Sequence, residues 1–413
     1  MDDPDELVIP EPGAAPWTLL TADRQAAFLE IQDFLLKAAN RPMEADEIVC
    51  GFCNRLIAAG LPLDRQFSAF RVLHSTDVSY VEVWQRGEGL TAVTIPYKSD
   101  KDYAYLTSPF AHAHQLGSWI GFDPQTLPPE RFGIVAELKE QGFRHYVCAP
   151  VRILNLEDAV TFATRSPAGF SDADILFLRA LLPALTALNE TRVLRRVLKE
   201  VTRIYVGEEP HKRILSGDVH RGEVTGIRSA ILFADMRGFT SLTANMTAEE
   251  TTALLNDYFD CVVPAVEAEG GEVLKFMGDG VLAIVRDDEG AAEACKRAWV
   301  AATKGHDAIE TRNRATATPF TAGIALHYGE VAYGNVGSGM RLDYTIIGKD
   351  VNLASRICGL CGSLDRPLLA SGAFRRHLDG VRLVSDGAHR LKGFEEPIEV
   401  FRPTGGVTAK PPI

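Results

Sequence analysis

The sequence predicts an α/β protein of the α+β kind, with two domains joined by a helical connector. Three observations carry this. A chain of 413 residues that is 46% hydrophobic is long enough for two separate cores. The first half opens and closes on helical periodicities, with strand-like runs between them. The second half alternates short β-rich runs with amphipathic helical stretches. The reading divides the chain into a tail over 1–22, a first domain over 23–175, a connector over 176–222, a second domain over 223–405 and a tail over 406–413.

From Asp23 to Ala59 apolar residues recur at helical spacing, among them Phe28, Ile31, Phe34 and Leu35, until Gly60-Leu-Pro closes the segment. Strands follow at Phe67–His74 and Ser79–Gln85, and a later pair at Tyr146–Val151 and Ala159–Thr164. Ser171-Asp-Ala-Asp174 caps a long helix, in which Pro183 predicts a kink or a break. Beyond it Leu194, Val197, Val201 and Ile204 are spaced as a heptad seam, open to two readings: a parallel dimer contact, or an amphipathic helix lying on its own domain.

In the second half Ile231, Leu232 and Phe233 read as a buried strand that delivers Asp235 to its polar exit, where Gly238 permits a tight turn. Thr247-Ala-Glu-Glu250 is a capping box for a helix through Leu254, Leu255, Tyr258, Phe259 and Val262. Glu272–Val285 contains two β-rich runs around Gly278-Asp279-Gly280, a hairpin with Asp279 at its tip. Phe320–Tyr328 is a strand, punctuated afterwards by Gly329, Gly334, Gly337 and Gly339. A strand then runs into a helix that carries Asn352 and Arg356 one turn apart, and a last strand covers Ile398–Phe401. Asp235 and Asp279 are hard oxygen ligands at strand ends, suited to Mg²⁺ or Mn²⁺ on a triphosphate.

Composition narrows the partners. A formal charge of −12 and a pI near 5.4 argue against a nucleic-acid or anionic-membrane surface, so neither nucleic acid nor membrane is expected. Seven cysteines, an odd number, do not suggest a disulfide framework. The acidic start has no secretory pattern, and the longest apolar stretch, Ile175–Leu188, is interrupted by Arg179 and Pro183 and too short for a bilayer core of about 30 Å. A soluble, cytoplasmic protein is expected. Cys50/Cys53 and Cys358/Cys361 have zinc-site count, but they fall in different domains and Cys50/Cys53 lies in an apolar helical segment. Cys148 reads as a buried strand cysteine, and His112 and His114 as part of a polar loop.

The order helix, strand, strand, irregular middle, Gly142–Pro150, strand, Phe170–Asp174 and exit helix resembles a GAF domain over about 23–195. That resemblance implies an antiparallel sheet flanked by helices, and an unknown small-molecule ligand or a dimerisation role. Four motifs of the second half are more specific: Phe233-Ala-Asp-Met-Arg-Gly-Phe-Thr240, Lys275-Phe-Met-Gly-Asp279, Asp343-Tyr-Thr-Ile-Ile-Gly348 with Val351-Asn-Leu-Ala-Ser-Arg356, and Leu391-Lys-Gly393. In order and spacing they resemble a class III nucleotidyl cyclase, which implies a ferredoxin-like fold acting as a head-to-tail homodimer with composite active sites.

Carried over position by position, the resemblance implies two Mg²⁺ or Mn²⁺ ions per site on Asp235, Asp279 and the Met236 carbonyl. It places phosphate oxygens on the backbone of Gly238, Phe239 and Thr240, and the triphosphate on Lys392 and Arg341. Arg356 would stabilise charge at the reacting phosphorus and Asn352 would hold the ribose. Lys275 and Thr345 would read the base: lysine can donate to adenine N1 and threonine can accept from the 6-amino group, which indicates ATP as substrate, with a guanylate or pyrimidine nucleotidyl cyclase, or a non-catalytic nucleotide-binding signalling module, as the alternatives. Threonine at that place marks the IIIb subgroup, some of whose members respond to bicarbonate or CO₂; no bicarbonate site is identifiable in the sequence. Arg237 reads as a surface or interface residue, and Asp350 as a first-turn helix carboxylate.

Overall fold

The computed structural model describes residues 7–41, 43–71, 77–96 and 105–404. The chain divides into two compact units, Met1–Val201 and Thr202–Ile413. The first unit contains α1 (Ala22–Asn40), α2 (Ala45–Ala58), β1 (Arg65–Arg71), β2 (Asp77–Gln85), β3 (Gly89–Pro96), α3 (Pro109–Leu116), β4 (Ile120–Phe122), α4 (Val135–Glu140), β5 (His145–Ile153), β6 (Leu156–Thr164) and all but the last turn of α5 (Asp172–Val206). Its strands form one antiparallel sheet in the order β3-β2-β1-β6-β5-β4. Ile31, Leu35, Phe52, Leu56, Phe177 and Leu181 of α1, α2 and α5 cover one face through Val147, Val160 and Phe162. On the other face Ala113 of α3 and Val135 and Leu138 of α4 pack against Phe122, Tyr146 and Cys148.

Four sequence expectations are modified here. The apolar periodicity over 23–59 belongs to two helices, because Arg41 stands in extended conformation (φ −124°, ψ 147°) before Pro42, whose ring disfavours helix in its predecessor. Pro183 does not break α5, which is continuous over 35 residues. His112 and His114 lie on α3 instead of in a loop; His114 Nε2 sits 2.6 Å from the Asp158 carbonyl oxygen, and Arg131 Nη2 lies 3.4 Å from His112 Nε2. In the heptad seam Val197 packs with Phe70, Ile153 and Val193 of its own unit, whereas Leu194 and Ile204 are exposed. The last residues of the strand expected at Phe67–His74, and the C-terminal tail, lie outside the described residues.

The second unit runs α6 (Glu208–Ser216), β7 (Val224–Met236), α7 (Phe239–Leu242), α8 (Ala248–Ala268), β8 (Glu272–Met277), β9 (Gly280–Arg286), α9 (Ala291–Ala315), β10 (Ala322–Ser338), β11 (Arg341–Ile347), α10 (Lys349–Ser363), β12 (Leu368–Ser371), α11 (Gly372–Arg375), β13 (Leu383–His389) and β14 (Ile398–Pro403). The sheet order is β13-β14-β12-β10-β7-β9-β8, with β11 paired to β10. Its central stretch, β10-β7-β9-β8, is a β-α-β-β-α-β unit whose two helices, α8 and α9, share one face.

Alternation along β7 explains the layering. Ala230, Leu232, Ala234 and Met236 meet Leu254, Tyr258 and Val262 of α8 and Ala294, Ala298 and Ala302 of α9. Ile231 faces the opposite side, where Ala354 of α10 packs with it, and Leu353, Ile357 and Cys361 of α10 cover Ala325 and Leu369. The capping box at Thr247 and Glu250 starts α8. β10 passes straight through Gly329, Gly334 and Gly337, so these glycines lie within a strand and do not end it. At Gly334 a side chain could not fit, since a Cβ there would stand 2.1 Å from the Glu223 carbonyl oxygen of the neighbouring chain segment. No helix among the described residues is long and apolar enough to cross a membrane.

Candidate active site

The β8–β9 hairpin turns through Gly278 and Asp279, with Gly278 in the left-handed region (φ 66°) that costs glycine nothing. The turn brings the Asp279 carboxylate against that of Asp235, which follows Phe233 and Ala234 on the adjacent β7. Partial burial, and then the Asp279 charge beside it, push the Asp235 carboxyl from 3.8 up to about 6.

Two carboxylates forced together favour a proton or a cation between them, so this pair fits a divalent metal. Among the described residues no group of three or more His, Cys, Asp or Glu side chains could hold a metal ion. A cation at this place would therefore draw its remaining ligands from backbone carbonyls, substrate phosphates and water.

After Met236 the chain turns at Gly238, again left-handed at φ 65°, into the single turn of α7. The amides of Phe239 and Thr240 open that turn and have no partner within it. Lys275 owes its orientation to an irregularity that sequence reading missed. The β8–β9 register shifts between Val273 and Lys275. Val273 and Phe276 pack toward α8, whereas Lys275 stands opposite Leu282, which faces the other side of the sheet. The bulge thus turns a side chain that strict alternation would point at α8.

On that side the Lys275 ammonium donates to Asp343 Oδ2 of β11 at 3.0 Å. Asp343 and Thr345, two residues apart on β11, share a face. Thr345 is only 5% exposed, and its Oγ1 is buried without a hydrogen-bond partner among the described residues. Asn352 and Arg356 lie on the exposed face of α10, with no side-chain hydrogen bond or ion pair among the described residues, and none joins them to Asp235 or Asp279. Arg341 and Lys392 are exposed, one at the start of β11 and one in the turn after β13.

Residues 227–393 match the family model for the adenylate and guanylate cyclase catalytic domain. The chain carries a class III adenylate/guanylate cyclase catalytic domain. An adenylate cyclase of Anabaena cylindrica is 32% identical over 194 residues, covering 45% of this chain and 38% of that one. Adenylate cyclase 1 of Rhizobium meliloti (strain 1021) is 33% identical over 195 residues, covering 46% and 28%. The chain spans less than two fifths of the length of either relative. The crystal structure of the adenylyl cyclase CyaB from P. aeruginosa aligns with a TM-score of 0.41 at 28% identity, over 44% of this chain and 96% of that chain.

Within the cyclase domain two further residues bear on the site. Arg237 is a clamp between elements: its Nη1 donates to Asp365 Oδ1 at 2.8 Å and its Nη2 to the Cys361 carbonyl at 2.9 Å. It ties the end of the Asp235 strand to the C-terminal end of α10, a contact within the unit that its reading as a surface or interface side chain does not include. Asp343, the partner of Lys275, was unassigned; its place two residues before Thr345 was the only signal. The cysteines are all free. Cys358 and Cys361 of α10 contact the Gly323 and Ile324 carbonyl oxygens, at 3.3 and 3.4 Å, and so help dock α10 on β10. Cys148 is buried, and burial holds its thiol well above the usual range.

Proposed function

We propose that the protein is an adenylate cyclase that converts ATP to 3′,5′-cyclic AMP and pyrophosphate. The observation that carries this reading is the Asp235–Asp279 pair, brought together at the end of β7 and the tip of the β8–β9 hairpin, where partial burial and the Asp279 charge raise the Asp235 carboxyl to about 6. Asp235, Asp279 and the Met236 carbonyl would hold two Mg²⁺ or Mn²⁺ ions per site. Such ions, when bound, lower the pKa of the ribose 3′-hydroxyl and neutralise the polyphosphate.

The remaining roles belong to side chains of this chain. The 3′-hydroxyl proton passes to solvent, the 3′-oxygen bonds to the α-phosphorus as the bond from that phosphorus to the bridging β-phosphate oxygen breaks, and pyrophosphate leaves. Arg356 would meet the charge that grows on the α-phosphate oxygens, and Asn352 would fix the ribose for in-line attack. The amides at Gly238, Phe239 and Thr240, with Arg341 and Lys392, would hold the triphosphate. Lys275 would donate to adenine N1 and Thr345 Oγ1 would accept from the 6-amino group. The buried, unpartnered Thr345 Oγ1 supports this, because an orphaned hydroxyl gains most from a ligand that satisfies it.

Asn352 and Arg356 share no side-chain bond with the aspartates, which supports a site shared across a homodimer. Asp235 and Asp279 of one protomer would work with Lys275, Thr345, Asn352 and Arg356 of the other. The first unit would act as a GAF-like sensor domain for a small-molecule ligand, signalling along α5, in a cytoplasmic protein. The relatives named adenylate cyclase support ATP over GTP.

Incubation of purified full-length protein with each of the four nucleoside triphosphates and Mn²⁺, followed by chromatography, tests this. Cyclic AMP as the main product is expected. Cyclic GMP or a cyclic pyrimidine nucleotide would reassign the base pair, and no cyclic product would reduce the domain to a binding module.

A further inference from the structure

Helix α10 carries the two side chains assigned to the ribose and the reacting phosphorus, yet both project from its exposed face. Something else must fix where the helix begins. Its first turn contains Asp350, whose carboxylate reaches back to β10: Oδ2 accepts from the Glu330 amide at 2.9 Å. Its other oxygen, Oδ1, lies 3.5 Å from Nε2 of His327, a side chain only 4% exposed. That nitrogen is buried and has no closer polar partner among the described residues. The opposite ring nitrogen, Nδ1, is 2.7 Å from Ser371 Oγ, and the same oxygen accepts from the Phe374 amide at 3.1 Å, capping α11. With a proton on Nε2, the imidazole presents a donor to the carboxylate.

A glycine on β10 is shaped to the same contact. Gly329 needs no unusual backbone angle, but a Cβ there would stand 2.3 Å from Asp350 Oδ2 and 2.5 Å from Cγ. Its lack of a side chain is explained by the carboxylate that occupies the space. Three features of one strand, namely His327, Gly329 and the Glu330 amide, therefore converge on one carboxylate at the start of α10.

We propose that Asp350 and His327 are positioning residues: with the gap at Gly329 they pin the first turn of α10 to β10 and so set where Asn352 and Arg356 meet the substrate. Neither touches the nucleotide. The role rests on the cyclase reading given above, and it extends Asp350 beyond a first-turn helix carboxylate. Asp350 and Asn352 are two residues apart, so a shift of the first turn is carried directly to the ribose contact and, one turn on, to Arg356. A misplacement of about 1 Å lowers the chemical step by about a hundredfold.

The test uses the full-length chain bearing Asp350→Ala, His327→Ala or Gly329→Ala, with His327→Gln as the conservative variant. Each of the first three is expected to lower kcat with ATP by about ten- to a hundredfold while KM changes less than about threefold, since Asp235, Asp279 and Lys275 are untouched. His327→Gln, which keeps an N–H donor, should recover most of kcat. The double variant Asp350→Ala/His327→Ala should fall no further than the worse single one. Hydrogen exchange of the wild-type and variant proteins supplies a readout that needs no activity: amides in the first turns of α10 should exchange faster in the variants, and those of α8 and α9 should not. Unchanged kcat, a loss of kcat explained by the unfolded fraction alone, or unchanged exchange in α10 would overturn the proposal. A wild-type protein with no cyclase activity would defeat the function reading instead, and the exchange data would still judge the helix contact.

Discussion

The two units treat carboxylates in opposite ways. In the first unit Glu82 is 1% exposed, and Arg192 answers it with both terminal nitrogens, one of them at 3.0 Å. Asp174 likewise takes hydrogen bonds from the Ser171 amide and hydroxyl and from Arg24 Nη2 at 2.6 Å. In the second unit Asp235 has another carboxylate, Asp279, as its neighbour, and Thr345 keeps a buried hydroxyl unanswered. Paired charges close a structure on itself. Like charges placed together, and elsewhere in the unit an unanswered hydroxyl, each leave a demand that a ligand can meet, at some cost to the stability of the empty protein.

The sharpest way to break this contrast is at the like-charged pair. Asp235→Ala is expected to lower cyclic nucleotide formation by about a thousandfold or more, with a melting temperature equal to or above that of the wild type, because a repulsion is removed. A large fall in melting temperature would make Asp235 a structural residue. Arg356→Ala should be almost as inactive, and mixing the two variants should restore activity through the one intact interface of the mixed dimer. A mixture that stays inactive although heterodimers form, as seen by tagged co-purification, would place the whole site within one chain.

In the first unit the expected effect is on stability. Glu82→Ala leaves the Arg192 guanidinium largely buried without a counter-charge, with only the Asn189 Oδ1 contact at 3.3 Å, and should cost about 3–5 kcal/mol in denaturant unfolding of that unit. A loss below about 1 kcal/mol would show that the pair contributes little and would weaken the contrast. The smallest effect is a pH dependence. The folded Asp235 carboxyl titrates near 6, above its ordinary 3.8, so its contribution to stability is complete below about pH 4 and lost as pH rises through about 6. A divalent cation can replace the missing proton. The rise in melting temperature on adding Mn²⁺ should therefore grow between about pH 5 and 7.5, by a few degrees at most. An equal rise at both pH values would detach the metal from Asp235.

Much of the cyclase domain was legible in the chain. The apolar run before Asp235, the hairpin glycines around Asp279 and the capping box at Thr247 are local signals, and the elements stand where those signals put them. The β-bulge at Lys275, the Lys275–Asp343 bond and the Arg237 clamp were not legible, because each depends on a partner far along the chain. The first unit was less legible: β1, β2, β5, β6 and the exit helix could be read, but β3, α3, β4 and α4 fell in what read as an irregular middle, and no local motif names what the unit binds.

What the sequence determined by itself was therefore the set of elements and the kind of chemistry. Strand and helix periods, turn glycines and carboxylate identity are fixed by neighbours a few residues apart. Only the tertiary structure decided how those groups are tuned. Asp235 is raised toward pH 6 because packing partly desolvates it and a hairpin carries Asp279 to it, Thr345 is left unsatisfied because β11 is buried where it stands, and Asp350 is no mere helix-start carboxylate because β10 brings His327 and the gap at Gly329 to it. Desolvation and charge proximity act through space, and no spacing along the chain encodes them.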